Sequence, residues 1–487
     1  MSIDLTRIID AWAGLQVTVV GDAMLDVYLE GSIGRLCREA PVPVVEVREK
    51  RKLPGGAANA AVNVHEMGGR VRFLSVVGSD REGGQLCEAL RRQGVDAAGV
   101  LVEPDRRTLV KHRLVCGDQV LARFDEGVAH DMMEKTEAHF AEILRGAFVE
   151  ADAVIVSDYG YGVLSPRLIR LLAQLQKQSP RVVVVDARQP VRYNRVGITA
   201  VKPSYDEALR ILGNHYCEDG VGRAEAIAAQ GERILNSTGA QVAAVTLDAD
   251  GAVVVERNRP PYRTYAHPAR SSRSVGAGDT FVGALGLALA AGADTPAAAE
   301  LASAAAAVVL GKDGTATCSA RELREFISGA DKRSHDLAAL ALQVESHRGQ
   351  GRRIVFTNGC FDILHRGHVT LLNRAKGLGD VLVVGVNSDL SVRRLKGPER
   401  PINALEDRIR VLAALSYVDH IVAFDGDTAD EVIEAIRPDI FVKGGDYTRE
   451  TLPEAGLVER LGGAVCIFPY VEDRSTTGII ERIRQAG

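Results

Sequence analysis

The segment Ser274-Val-Gly-Ala-Gly-Asp-Thr-Phe281 runs directly into the helix-prone stretch VGALGLALAAG. Small residues let a backbone approach an anion closely, and a helix start adds free N–H groups and the positive end of the helix dipole. Asp279 stands at that start. An aspartate there is also the ordinary N-cap, but a cap does not require Gly-Ala-Gly in front of it. The combination reads as a phosphate cradle beside a carboxylate base, the pair that phosphoryl transfer to a hydroxyl needs. Pro54-Gly-Gly-Ala-Ala-Asn-Ala-Ala-Val-Asn63 enters a second helix, where a tight turn with close helix packing is the plain alternative. Gly21-Asp-Ala-Met-Leu-Asp26 places two acids after the first strand. Open α/β sheets bind ligands there, and paired carboxylates hold sugar hydroxyls, although an aspartate after a strand also serves a turn.

A different constellation lies in the last third of the chain, Thr357-Asn-Gly-Cys-Phe-Asp-Ile-Leu-His-Arg-Gly-His368. His365 and His368 share a face on a helical turn. With Cys360 they offer three zinc donors, but a closed zinc site wants four and no matching cluster follows. A strand, a glycine turn and a helix start bearing two imidazoles suit the phosphates of a nucleotide. Downstream, Arg394-Leu-Lys-Gly397, Arg400 and Arg408 form either a phosphate grip or a solvated loop. Asp473-Arg-Ser-Thr-Thr-Gly-Ile-Ile480 offers hydroxyls and amides at a final turn.

The elements that must position these residues alternate between β-rich runs and helical patterns. Strands are predicted at 15–22, 41–47, 70–78, 151–158, 181–187, 198–204 and 241–255, with helices such as Ser165–Gln176 and Glu322–Ile327. A second series is predicted at 352–359, 380–389, 419–426, 439–446 and 464–473. The rhythm is that of an α/β protein with open, mostly parallel sheets, built as two domains in tandem. The predicted domains are 1–328 and 351–487, the second with a five-stranded parallel sheet. The polar, helix-prone stretch 329–350 reads as a linker.

At 487 residues the chain has room for about two to four domains. Its net charge of −5 and the lack of a long basic run disfavour nucleic-acid binding. Seven dispersed cysteines without a C-x-x-C read as reduced thiols, hence a cytoplasmic protein. The N-terminus carries acids and does not read as a signal peptide. The alanine-rich runs are broken by Asp294 and Glu300, short of the ~20 apolar residues a membrane span needs, so no membrane association is expected.

The early GDxxxD, GGAANAAVN and late GAGDTF segments resemble the ribokinase-like sugar kinases over residues ~15–320. The resemblance implies Asp279 as catalytic base and the backbone of Gly276, Ala277 and Gly278 as an anion hole. It places Asp22, Asp26, Gly55, Gly56 and Asn59 around the sugar. It puts PVPVVEV in a small β-lid that in this family often forms a dimer contact, so a homodimer is expected. Where the family usually has Pro-Asn-x-x-Glu beside the nucleotide and Mg²⁺, this chain has Pro203 followed by Ser204, Tyr205, Asp206 and Glu207. Arg273 stands where the family often has aspartate, so no monovalent-cation site is implied.

The H-R-G-H at 365–368 resembles the H-x-G-H signature of the cytidylyltransferase-like nucleotidyltransferases over residues ~352–487. That resemblance implies attack of a substrate phosphate on the α-phosphorus of ATP, with release of pyrophosphate. His365 and His368 would bind the triphosphate. Lys396 and Arg400 would grip its outer phosphates. Thr357, Asn358, Gly359 and Phe361 would line the nucleotide, and Ser475 and Thr476 would add donors. Mg²⁺ would enter with ATP, with no protein residue as a direct metal ligand. The order of the two halves, with EAPVPVVEV, RLKG, RPIN, FVKGGDY and STTGII, resembles the bifunctional heptose phosphate kinase–adenylyltransferase family. ATP and heptose phosphates are the implied substrates. An acceptor that already carries a phosphate calls for cations, and one of Arg106, Arg107, Lys111, Arg113 and Arg123 is expected to meet it, unless they form a solvated strand face.

Overall fold

The computed structural model describes residues 5–468, apart from 41, 118, 128, 214–221, 266–273, 313, 328–331, 335 and 446. The chain divides into two compact units, Thr6–Leu323 and a second that runs from Arg324 onward. No helix among the described residues is long and apolar enough to cross a membrane.

The first unit is built on a nine-stranded sheet. Gln16–Gly21 lies third from one edge, with Arg70–Gly78 and Val100–Glu103 on one side and Ala153–Asp158, Val182–Ala187, Ala200–Val201 and Val242–Thr246 on the other, all parallel. Continuous apolar runs such as AVIV and VVVV are what a sheet covered on both faces requires. Phe140, Leu144 and Phe148 of the helix Glu134–Glu150 and Leu168 and Leu172 of Pro166–Gln178 close one core with Val20, Val154 and Val156. Two predicted strands change form. The stretch at 198–204 shrinks to Ala200–Val201, since Pro203 has no N–H to give a ladder. The stretch at 241–255 is a hairpin of Val242–Thr246 and Ala252–Glu256, turned at Asp248 and Gly251 with positive φ. A four-stranded lid, in the order Pro43–Gly56, Ala23–Leu36, Val110–Cys116, Gln119–Glu126, grows from the end of Gln16–Gly21.

The second unit carries a six-stranded parallel sheet in the order Arg333–Ser334, His420–Phe424, Val381–Asn387, Ile354–Gly359, Ile440–Gly444, Ala464–Phe468. The five expected strands are present. The sixth comes from the stretch read as a linker, and that reading is corrected here. Arg333 and Ser334 pair with Ile421 and Val422 at the sheet edge. The helix Leu337–Gly349, capped by Asp336, buries Leu340 and Val344 among Ile354, Phe356, Val432 and Ile436. The helical tendency was legible, but charged flanks hid that this helix commits a narrow apolar stripe to the core. The direction of winding reverses at Ile354–Gly359, which makes the carboxyl end of that strand the crevice where open sheets bind ligands.

Candidate active sites

In the first unit, Gly276 enters the helix Ala277–Ala290 with φ +100°, and no side chain caps that helix. Asp279 is therefore not an N-cap. It is buried, and both its oxygens are held: Asn59 donates from Nδ2 to Oδ2 at 2.7 Å, and the Tyr159 hydroxyl donates to Oδ1 at 2.9 Å. Burial pushes the carboxyl above its ordinary range, while Asn59, Tyr159 and the charge of Lys202 pull it back. Gly276 packs on this arrangement so tightly that a Cβ there would lie 2.5 Å from Nδ2 of Asn59. Lys202 is buried, pairs with Asp186 at 3.2 Å, and brings its ammonium to the start of the helix, 3.5 Å from where a Cβ on Gly278 would sit. Burial, opposed by Lys202, lifts the Asp186 carboxyl to about 7. Gly276, Ala277, Gly278, Asp279 and Lys202 thus combine a helix start, an ammonium and a carboxylate around one point.

The acidic pair after the first strand splits into two roles. Asp22 is fully buried and accepts three backbone N–H groups, from Tyr159 at 2.9 Å, Tyr161 at 3.0 Å and Val163 at 3.1 Å. Both its oxygens fix the 159–163 loop. Asn59, also expected at the sugar, gives its amide to the base. Asp26 lies on the lid strand Ala23–Leu36, pairs with Arg113 of the neighbouring strand at 2.7 Å and accepts from the Thr315 hydroxyl at 3.1 Å. Gly55 lies against it: a Cβ there would be 2.7 Å from its Oδ2. Gly56 starts the next helix with φ +58° and packs on Met24 and the carbonyl of Asp22.

The five basic residues also separate. Arg106 is buried and spends its guanidinium on Glu103 and on the carbonyls of His130 and Tyr161. Arg107 is exposed, and Arg123 makes a two-pronged pair with Asp125. Arg113 holds Asp26, and the Lys111 ammonium sits 5.3 Å over the Tyr159 ring. Burial lowers the Lys111 pKa, with Asp26 opposing.

Ser204 and Glu207 form a reciprocal capping box on the helix Tyr205–Leu212. Tyr205 stacks under the guanidinium of Arg223 at 4.1 Å, and Asp206 is exposed. Of this expected nucleotide segment, Glu207 alone is near enough for its charge to act on both Asp186 and Lys202. The sequence reading missed Tyr159, Asp186 and Lys202. Tyr159 and Asp186 follow or end strands at the carboxyl edge of the sheet, which was the available signal.

In the second unit, Ile354–Gly359 passes through Phe361, at φ +45°, into the helix Arg366–Lys376. His365 is the N-cap of that helix and accepts the Gly367 N–H at Nδ1, 3.2 Å away. A neutral imidazole bonded this way carries its proton on Nε2. The His368 ring stacks on it with centroids 3.9 Å apart. Burial, then the neighbouring His365, drives His368 down to about 3, so it is neutral at any working pH. Thr357 is buried and its hydroxyl has no partner among the described residues. Asn358 accepts at Oδ1 from Nζ of Lys443 at 2.6 Å. Lys443, which the sequence reading did not place in the site, joins it from the neighbouring strand.

Asp362 organises the following loop by accepting from Arg400 and from the backbone of Ile402 and Asn403. Arg408 is a buried clamp that donates to the carbonyls of Asn403, Cys360 and Asn387 and to Asp389 at 2.7 Å. Lys396 is exposed at the end of the helix Asp389–Lys396, close enough for its charge to act on the Cys360 thiol. Gly359 is half-buried at the end of the strand. Ser475 and Thr476 lie outside the described residues. Among the described residues no three His, Cys, Asp or Glu side chains converge as metal donors, and this includes Cys360, His365 and His368.

Residues 15–323 match the pfkB family carbohydrate kinases, and residues 356–482 match the cytidylyltransferase-like family. The chain is 38% identical to the bifunctional protein HldE of Pseudomonas aeruginosa PAO1 over 97% of its own length and 98% of the relative's. It is 39% identical to HldE of Mesorhizobium japonicum, covering 99% and 97%, and 37% identical to that of Geobacter sulfurreducens, covering 97% and 96%. Among solved structures, Arabidopsis thaliana ribokinase complexed with ribose and ATP superposes with a TM-score of 0.50 at 20% identity, covering 64% of this chain and 98% of the other. Phosphofructokinase-2 from Escherichia coli in complex with potassium gives 0.52 at 20%, covering 64% and 97%. These two likenesses carry the fold of the first unit. With a buried carboxylate at a glycine-rich helix start in one unit, an imidazole pair at a sheet crevice in the other and relatives aligned across both, the chain belongs to the bifunctional HldE family, a pfkB-type carbohydrate kinase followed by a cytidylyltransferase-like nucleotidyltransferase.

Proposed function

We propose that the chain carries out two steps of ADP-heptose synthesis. The first unit phosphorylates the anomeric hydroxyl of D-glycero-D-manno-heptose 7-phosphate with ATP. The second joins AMP from ATP to heptose 1-phosphate and releases pyrophosphate. A separate phosphatase must act between them, so the bisphosphate leaves the chain before the second step. The observation that carries this reading is Asp279, buried and held at both oxygens beside the ammonium of Lys202 and an uncapped helix start.

Asp279 takes the proton of the acceptor hydroxyl as the γ-phosphoryl group moves. Lys202 and the helix-start N–H groups offset the charge on that group. ATP enters with Mg²⁺ as its substrate complex, and the ion offsets triphosphate charge in both units. Asp26 receives sugar hydroxyls, and Lys111 with Arg113 supplies the positive edge that a phosphate-bearing acceptor needs. In the second unit His365 and neutral His368 donate to the ATP phosphates, with Lys396 and Arg400 toward the outer ones. The exposed Ile33, Leu36, Val47, Val120 and Phe124 of the lid support a homodimer through that sheet. Use of ATP and free thiols fits a cytoplasmic enzyme, and the kinase and transferase boundaries fall near residue 324.

The test is a panel of sugar phosphates incubated with ATP and the purified protein, with ADP and pyrophosphate measured separately. Heptose 7-phosphate should give ADP alone and heptose 1-phosphate pyrophosphate alone. Equal or greater turnover on pentose or hexose phosphates would replace the heptose assignment.

A further inference from the structure

The base is held by a residue that neither glycine motif contains. Asn59 fixes Oδ2 of Asp279 and the Tyr159 hydroxyl fixes Oδ1, so two donors on different oxygens stop rotation of the carboxylate. Tyr159 is itself anchored from three directions. Its N–H is bound by Asp22, the next residue's N–H by Asp158 at 2.9 Å, and its ring lies under Lys111. We propose that Tyr159 is the positioning residue of the kinase base, donating its phenolic proton to Asp279 so that the carboxylate stays ionised and aimed at the acceptor hydroxyl. The proposal rests on the reading of Asp279 as the base.

The electrostatics of the crevice explain why a neutral donor is needed there. Asp26 from the lid and Asp186 from the sheet both disfavour charge on Asp279, while Lys202 favours it; Lys111 faces the tyrosine from the lid strand Val110–Cys116. Buried carboxylates keep their charge when hydrogen bonds are donated to the ionised form. Burial and the adjacent Asp279 push the phenol well above its ordinary pKa, so it remains a donor over the whole working range. Asp22 acquires a role from the same chain of contacts, since it sets the loop that delivers the hydroxyl.

The test is the pH profile of ADP release by full-length Tyr159→Phe, with Asp279→Asn in parallel. Loss of the donor should move the acid limb of kcat/KM to higher pH and lower kcat about tenfold at neutral pH, with KM for ATP unchanged. A ring-fluorinated tyrosine at position 159 keeps the packing and donates more strongly, so it should move the limb to lower pH. It also decides the matter should the phenylalanine variant fail to fold. An acid limb that stays in place in the folded variants, whatever the fall in rate, would overturn the proposal and leave Tyr159 a packing residue. Full kinase activity in Asp279→Asn would instead remove the base assignment itself.

Discussion

The two sites are assembled in opposite ways. In the kinase unit Asp26, Asn59, Tyr159, Lys202 and Asp279 arrive from five separate segments, and the sheet brings them together. In the transferase unit Thr357 through His368 form one continuous strand, turn and helix start, completed by Arg400, Arg408 and Lys443. Their polar interiors differ as well. Beside its reacting group the kinase holds the Lys202–Asp186 pair, whereas the transferase sets a neutral imidazole, His368, against His365 and a guanidinium that donates to three carbonyls and a carboxylate. A continuous site depends on its own local turn, and a dispersed one on the whole unit keeping its shape.

The largest effects should come from cutting each site at its reacting group. Asp279→Asn should reduce ADP release by about 10²–10⁴-fold and leave pyrophosphate release unchanged. His365→Ala should do the reverse in the same assay. A variant that lowers both products would break the comparison, because the two sites would then not be chemically independent.

Arg408→Met comes next. It leaves the carbonyls of Asn403, Cys360 and Asn387 and the Asp389 carboxylate without their donor in a site where Arg408 is 2% exposed. Loss of one member of a buried charged network typically costs about 3–5 kcal/mol. Denaturant unfolding should show the transferase unit destabilised while ADP release persists.

An effect of similar size separates two fragments of the transferase unit. One beginning at Arg324 keeps Arg333–Ser334 and the helix Leu337–Gly349, and should be soluble and release pyrophosphate. One beginning at Gly351 loses the buried Leu340 and Val344, each contributing about 1.5–3 kcal/mol, and should melt earlier or aggregate. Equal melting temperatures would return 329–350 to the role of a linker.

The smallest effect near neutrality is a pH dependence of the transferase unit. Burial holds His420 at about 4 and His368 at about 3, below the ordinary 6.5. The fold therefore favours the neutral rings. Their stabilising contribution is complete above about pH 6.5 and is lost as pH falls toward 4. His420 also meets His347 at 3.1 Å, and the helix carrying His347 would loosen first. Thermal unfolding of the Arg324 fragment at pH 7.5, 6 and 5 should show a falling midpoint; a flat profile would remove both imidazoles from the stability balance.

What could be read from the chain follows the same division. The GAGD and H-R-G-H segments were legible because a glycine turn and a helix start specify their own geometry. Asp22 and Asp26, four residues apart after one strand, look equivalent in sequence; only the fold shows that one faces the 159–163 loop and the other lies on the lid. Tyr159 and Lys202 carry no local signature, since a tyrosine after a strand and a lysine before a proline occur for many reasons. The helical tendency of 329–350 was legible, but its place in the second unit was not, because two core side chains are too few to show through charged flanks. Both sheets were legible because their strands are buried on two faces and read as unbroken apolar runs.

The contact between Gly276 and Asn59 limits how this enzyme can change over time. A single added methyl at position 276 would collide with the amide that steadies Asp279. Under the proposed function, the residue that lets phosphate approach and the residue that aims the base are thus coupled, so that substitution of one constrains the other. The same proposal puts the freedom to diverge toward a new acceptor on the lid, at Lys111, Arg113 and Asp26, where mutation would alter which sugar is chosen without first sacrificing the chemistry.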